Sequence, residues 1–198
     1  MKTIRLAFLA LAALALAACF PPTTKHPVGS TIGLKNDPLI LGSWKAAPRS
    51  GDKENEFFYF HFLAGKNGIL AVLVPNGGAA SDLLLVELTT VRLGAVGILN
   101  ARLVPGPDAD TSNSSADPAG TIPLLYRLDA RGRLLLFTLD EDATKDAIRA
   151  HKIAGTLGTS GTGDAVITAD APALDKFFRS PAGLALFKSQ FQIMTKMK

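Results

Sequence analysis

Side chains able to bind a metal ion or a cofactor are few in this chain of 198 residues. The three histidines, His26, His61 and His151, lie far apart, and no two have the spacing that places metal ligands on one face of a helix. The consecutive carboxylates of residues 140–142 suit the positive start of a helix better than a converging acid and base. The sequence therefore predicts neither a metal site nor a cofactor.

Nucleophilic catalysis and phosphate binding also lack a recognisable motif. No Gly-x-Ser-x-Gly sequence occurs, and Gly158-Thr159-Ser160-Gly161 lacks its spacing. The glycine-rich residues 155–163 are not followed by the Lys-Ser or Lys-Thr pair of a phosphate-binding loop. We therefore expect no catalytic residue and no enzymatic activity.

Aromatic side chains concentrate in one predicted strand, residues 56–64. Alternation along a strand puts Phe58, Phe60 and Phe62 on one face and Phe57, Tyr59 and His61 on the other. The register of the strand decides which set faces an interior, and either set could be ordinary core. The candidate ligand-binding residues are Trp44, Phe58, Tyr59, Phe60, His61 and Phe62.

The elements that position these side chains are mostly strands joined by hairpin turns. Apolar strands are predicted over residues 38–45, 56–64, 69–74, 83–92, 96–104, 121–128 and 133–139. The pattern then changes to helices capped by Asp140 and Asp170, a short turn at Pro181, and strands at 165–168 and 190–197. This order predicts an α+β fold, mainly antiparallel β. The expected architecture is a meander barrel or strongly curved sheet with two or three covering helices toward the C-terminus.

Gly42-Ser43-Trp44, at the start of the predicted meander, resembles the Gly-x-Trp motif of lipocalins and lipocalin-like bacterial proteins. The resemblance implies that Trp44 lies on the first strand and closes one end of a barrel whose mouth binds small apolar ligands. No second motif like Thr-Asp-Tyr accompanies it, and either Arg102 or Arg127 could stack on the indole ring. The alternative is that Trp44 is a core residue without a ligand contact.

The N-terminus has the three parts of an export signal. Lys2 and Arg5 precede an apolar run at residues 6–18, which is shorter than the roughly 20 residues of a membrane-spanning helix. Leu16-Ala17-Ala18-Cys19 resembles the lipobox of bacterial lipoproteins. That resemblance implies cleavage before Cys19, which then carries a diacylglyceryl group and an amide-linked acyl chain. The alternative is an ordinary secretory signal cut after Ala15-Leu16-Ala17.

The predicted leader also sets the expected domain boundaries and the expected cellular location of the protein. We expect a signal peptide at residues 1–18, a flexible lipidated tether at 19–36, and one strand-rich globular domain at 37–198. The residue after the cysteine is Phe20 rather than Asp. By the same resemblance, this favours the outer membrane of a Gram-negative cell, with the domain facing the periplasm. The expected membrane partner is the bilayer, bound through acyl chains on Cys19.

The charge composition of the chain limits the classes of partner that it can be expected to bind. The leader carries two of the 21 basic residues and none of the 17 acidic ones, so the net charge of the mature chain is about +2. No Lys/Arg cluster provides an electrostatic footprint for nucleic acid. Two functions remain open: binding of a small apolar ligand in a lipocalin-like barrel, or a structural or assembly role through contacts with an envelope protein.

Overall fold

The computed structural model describes residues 21–48, 57–66, 68–78, 83–104, 120–158 and 165–198. The predicted signal peptide, the predicted lipidation of Cys19 and the polar residues 105–119 lie outside these ranges. Within them, no helix has the length and apolar character needed to cross a bilayer.

Eight antiparallel strands close into a barrel, in the order β11-β2-β3-β4-β5-β6-β7-β8. They are β2 (Gly42–Ala46), β3 (Phe58–Ala64), β4 (Ile69–Pro75), β5 (Leu84–Leu93), β6 (Val96–Leu103), β7 (Ile122–Leu128), β8 (Leu134–Thr138) and β11 (Ser189–Lys196). Strands β2 to β8 pair in sequence order, and β11 returns from the C-terminus to pair with both β8 and β2. The predicted meander barrel is confirmed, and β11 is the strand that closes it.

Three helices follow the meander, each started by a side-chain cap. They are α1 (Glu141–Arg149), α2 (Ala171–Phe178) and α3 (Pro181–Leu184). The caps are Asp140, Asp170 and Ser180, whose side chains accept a hydrogen bond from a backbone N–H of the first turn. The helical cover predicted toward the C-terminus is therefore confirmed.

A small second sheet lies beside the helices. It contains β1 (Thr23–Thr24), β10 (Ala165–Ile167) and β9 (Gly155–Leu157), with β1 parallel to β10 and β10 antiparallel to β9. The sequence predicted only β10 of these three strands. Together with the helices, this sheet covers the outer side of β5 to β8.

The structure has two apolar cores, one inside the barrel and one outside it. Every barrel strand contributes to the inner core, which includes Trp44, Ala46, Phe60, Phe62, Ile69, Leu88, Leu99, Tyr126, Leu136 and Met194. The outer core joins outward-facing side chains of β5 to β7 to the helices and the second sheet, and it includes Val28, Val91, Ile98, Leu125, Ile148, Ile167, Leu174 and Phe178. Alternation along the strands explains both sets, since neighbouring residues point to opposite faces.

Residues 21–40 form an N-terminal strap that runs over the outer core and ends inside the barrel. The backbones of Thr24 and Thr121 exchange two hydrogen bonds, and Val28 is fully buried. Residues 21–36 thus differ from the flexible tether that their composition predicts. The physical reason is that their polar backbone groups have partners far away in the sequence, above all the side chains of Asn100 and Asp175.

Candidate functional site

One end of the barrel, here called the closed end, is crossed by the last residues of the strap. The Thr90 hydroxyl donates to the Lys35 carbonyl, and the Tyr126 hydroxyl donates to the Asp37 carboxylate over 2.6 Å. Ile40 is fully buried in the inner core, and Nε1 of Trp44 donates to its carbonyl over 2.7 Å. The strap therefore seals this end of the barrel with buried apolar surface and paired polar groups.

Trp44 lies at this seal as a core residue, with 1% of its surface exposed. Neither of the arginines proposed to stack on it does so: Arg102 pairs with Glu87, and Arg127 lies over Phe137. Instead, Nζ of Lys196 stands 5.3 Å from the centroid of the indole ring. The cation comes from the closing strand because Lys196 is the register partner of Trp44.

Buried polar groups at the closed end join the strap to the barrel wall. The Arg92 guanidinium approaches Asp37 to 3.5 Å. Burial, and then the hydrogen bond and negative charge of Asp37, raise the pKa of Tyr126 above its usual range. The phenol therefore remains a proton donor to Asp37 at ordinary pH and is a poor nucleophile.

The candidate aromatic residues do not come together in one site. Phe60 and Phe62 point into the barrel and are buried with Trp44, whereas Phe58 shares their face but is 48% exposed at the other end. Tyr59 and His61 are half-buried on the outer face. Phe58, Phe60 and Phe62 thus face the interior of the barrel, and Phe60 and Phe62 are packed in the inner core.

His61 has one specific partner on the outer face, which the sequence analysis did not identify. Its Nδ1 lies 2.8 Å from Oγ of Ser43, its register partner on β2. Among the described residues, no carboxylate bonds to His61, and no cluster of His, Cys, Asp and Glu could hold a metal ion. Within the part of the chain that the structure describes, the pair is a cross-strand hydrogen bond. Finding it from the sequence would have required the strand register.

The other end of the barrel, here called the loop end, has an apolar mouth. Phe58, Leu84 and Leu103 occupy inward-facing positions on β3, β5 and β6, yet they are 48%, 39% and 42% exposed. Beneath them lie partly buried side chains that pack on the inner core: Leu73, Ile122 and Leu124. These six residues define the mouth. The sequence analysis named Phe58 but missed Leu84 and Leu103, whose exposure depends on where the strands end.

A groove of about 570 Å³ lies outside the barrel, between the strap and β4 to β6. Its lining combines Pro27, Leu70 and Thr89 with the charged side chains of Lys66 and the Arg102–Glu87 ion pair. Both partners of that pair are more than half exposed, so it contributes little stability. This charged lining suits an apolar ligand less well than the mouth does.

No family model matches the chain, and no curated protein or solved structure matches it. Among the described residues, apolar side chains stand exposed at inward-facing strand positions at the loop end, where Phe58, Leu84 and Leu103 lie.

Proposed function

We propose that the protein is a lipid-anchored bacterial envelope protein that holds a small apolar ligand at the mouth of its barrel. The anchor is inferred from Leu16-Ala17-Ala18-Cys19, which resembles a lipobox. Several acyl chains on Cys19 would make membrane attachment stable, because each buried methylene contributes about 0.8 kcal/mol. Phe20 after the cysteine favours the outer membrane, with the domain in the periplasm.

The observation that carries ligand binding is the exposure of apolar side chains at inward-facing positions. Covering such surface releases about 25 cal/mol per Å², so Phe58, Leu84 and Leu103 would gain from an apolar occupant. The layers beneath are filled by Phe60, Phe62 and Tyr126. The ligand would therefore sit shallowly, with part of it outside the barrel. We assign it no cofactor and no chemical reaction.

Uptake of a neutral apolar fluorophore, N-phenyl-1-naphthylamine, tests the mouth. Leu84→Ser should weaken uptake several-fold, because it places a hydroxyl on the apolar surface. Leu63→Ser is the matched control: Leu63 is 50% exposed, but its side chain lies on the outer face of β3. Equal uptake by both variants and the wild type would contradict ligand binding at the mouth.

The anchor has its own test, independent of the ligand. Cys19→Ala should abolish metabolic labelling with a fatty acid and leave an uncleaved or mislocalised precursor. A Cys19→Ala protein that is processed normally and stays on the membrane would contradict the anchor and leave the mouth unaffected.

A second candidate function is an assembly role in the envelope. It is favoured by the outer face of β3 to β5, where Leu63, Val72 and Leu85 are half-buried or exposed in neighbouring strands. Exposed apolar surface of this kind often binds another protein. Crosslinking in the cell separates the two functions. Loss of a crosslinked envelope protein in Leu63→Ser, with normal fluorophore uptake, would favour the assembly role.

A further inference from the structure

We propose that the side of the molecule formed by β1, β9 and β10 rests against the surface of the lipid bilayer. The inference depends on the proposed acylation of Cys19, and it extends that proposal from attachment to orientation.

The chain is part of the fold almost from its first described residue. Pro22 is buried, and Thr23 pairs with Val166 of β10. Two residue steps separate Cys19 from Pro21, so the acylated residue lies within about 7 Å of the packed domain. A free, extended, proline-rich segment over residues 20–36 would instead allow about 50 Å, at about 3.1 Å per residue. The docked strap therefore removes most of the reach that a tether would provide.

Buried hydrogen bonds hold the strap in place. The Asn100 side chain accepts from the Val28 N–H over 2.8 Å and donates to the Val28 carbonyl over 2.9 Å. The Asp175 carboxylate, 2% exposed, accepts from the N–H groups of Gly29 and Thr31 and from the Thr31 hydroxyl. Releasing the strap would leave these groups without partners inside the protein, which is costly. The short connection to the anchor is thus a stable property of the fold.

The strap fixes which side lies near the anchor. Thr23, Val166 and Thr156 form one row across the second sheet, and Thr156 is exposed. This sheet lies outside β5 to β8, whereas β2 and β3 lie on the other side of the closed barrel. A probe at residue 156 should therefore be near the lipid headgroups, and a probe on the outer face of β3 should be far from them.

Fluorescence quenching measures this difference directly. Since Cys19 is the only cysteine and its thiol would be acylated, Thr156→Cys and Leu63→Cys each offer one site for an NBD label. The acylated proteins are inserted into phosphatidylethanolamine–phosphatidylglycerol vesicles that contain lipid spin-labelled at its headgroup. We expect several-fold stronger quenching at residue 156 than at residue 63. A Gly-Ser insert of about 15 residues after Phe20, with a mean span of about 20 Å, should abolish the difference.

The outcomes separate orientation from anchoring, because the mass of each protein reports its acylation. An acylated protein with equal quenching at both residues, or stronger quenching at residue 63, overturns the orientation and leaves the anchor intact. A difference that survives the insert contradicts the short connection as the cause of the orientation. A protein without acyl chains that does not bind vesicles overturns the anchor and the orientation together.

Discussion

The Tyr126 hydroxyl donates a 2.6 Å hydrogen bond to the carboxylate of Asp37, 89 residues earlier in the chain. Tyr126 belongs to the wall of the barrel and Asp37 to the strap, so this bond joins the barrel to the segment that seals it. Both residues are buried, with 1% and 8% of their surfaces exposed. In such surroundings a bond to a charged acceptor is stronger than at the surface, and its loss leaves a buried group partly unpaired.

Replacing Tyr126 with Phe should lower the free energy of unfolding by about 2 kcal/mol, the usual range for a hydrogen bond to a charged group. The ring remains, so packing in the inner core changes little. Urea denaturation measures the effect, and Tyr59→Phe is the control because Tyr59 is half-buried on the outer face. An equally stable Tyr126→Phe protein would show that the bond contributes nothing to the seal.

The same tyrosine predicts a loss of stability at alkaline pH. Its pKa is raised in the folded protein, while in the unfolded chain it is about 10. Above pH 10 the unfolded state releases the phenol proton and the folded state retains it. Stability should then fall by up to about 1.4 kcal/mol per pH unit. Denaturation at pH 9 to 11 should show a smaller decrease for Tyr126→Phe than for the wild type. Parallel decreases would contradict the assignment.

The hydrogen bonds that hold the strap predict that loss of the Asn100 side chain destabilises the protein. Asn100→Ala should cost about 3 kcal/mol, because both backbone groups of buried Val28 lose their partner. Hydrogen exchange at residues 21–36 should become faster than in the barrel strands. The control is Asn36→Ala, which removes exposed bonds to the carbonyls of Gly65 and Gly68 and should change stability by less than about 0.5 kcal/mol. Unchanged exchange in Asn100→Ala would contradict a strap held by this side chain.

The barrel could be predicted from the sequence because its signals are local. Alternating apolar residues, glycine turns and the caps Asp140 and Asp170 locate the strands and helices without knowledge of distant contacts. Phe58, Phe60 and Phe62 were recognised as one face for the same reason. A strand at residues 190–197 was predicted as well, whereas its pairing with β2 is seen only in the structure.

The strap and the mouth could not be predicted, because both depend on long-range contacts. Residues 21–36 have the composition of a linker, and contacts with distant residues such as Asn100, Thr121 and Asp175 make them part of the fold. Leu84 and Leu103 look like ordinary strand residues. Their exposure follows from the barrel register, which places them beyond the last filled layer of the core.

Gly97 is predicted to be essential for the position of Tyr126. It pairs with Tyr126 across β6 and β7, and a Cβ atom at residue 97 would stand 2.1 Å from the phenol ring. Gly97→Ala should therefore destabilise the protein by about 2 kcal/mol or more, through overpacking. In a Tyr126→Leu background the same change should cost much less, and a double-mutant cycle measures this coupling. Equal costs in both backgrounds would mean that the ring does not limit residue 97.

Phe58 and Phe62 lie on one face of the same strand and should have separate roles. Phe62 is 3% exposed in the inner core, so Phe62→Ala should cost about 3–5 kcal/mol through the cavity that it leaves. Phe58 is 48% exposed at the mouth, so Phe58→Ala should cost less than about 1 kcal/mol while weakening uptake of N-phenyl-1-naphthylamine. Urea denaturation and fluorophore titration of both variants measure the two effects. If Phe58→Ala lost stability but kept full uptake, Phe58 would be a core residue and the proposed binding site would be wrong.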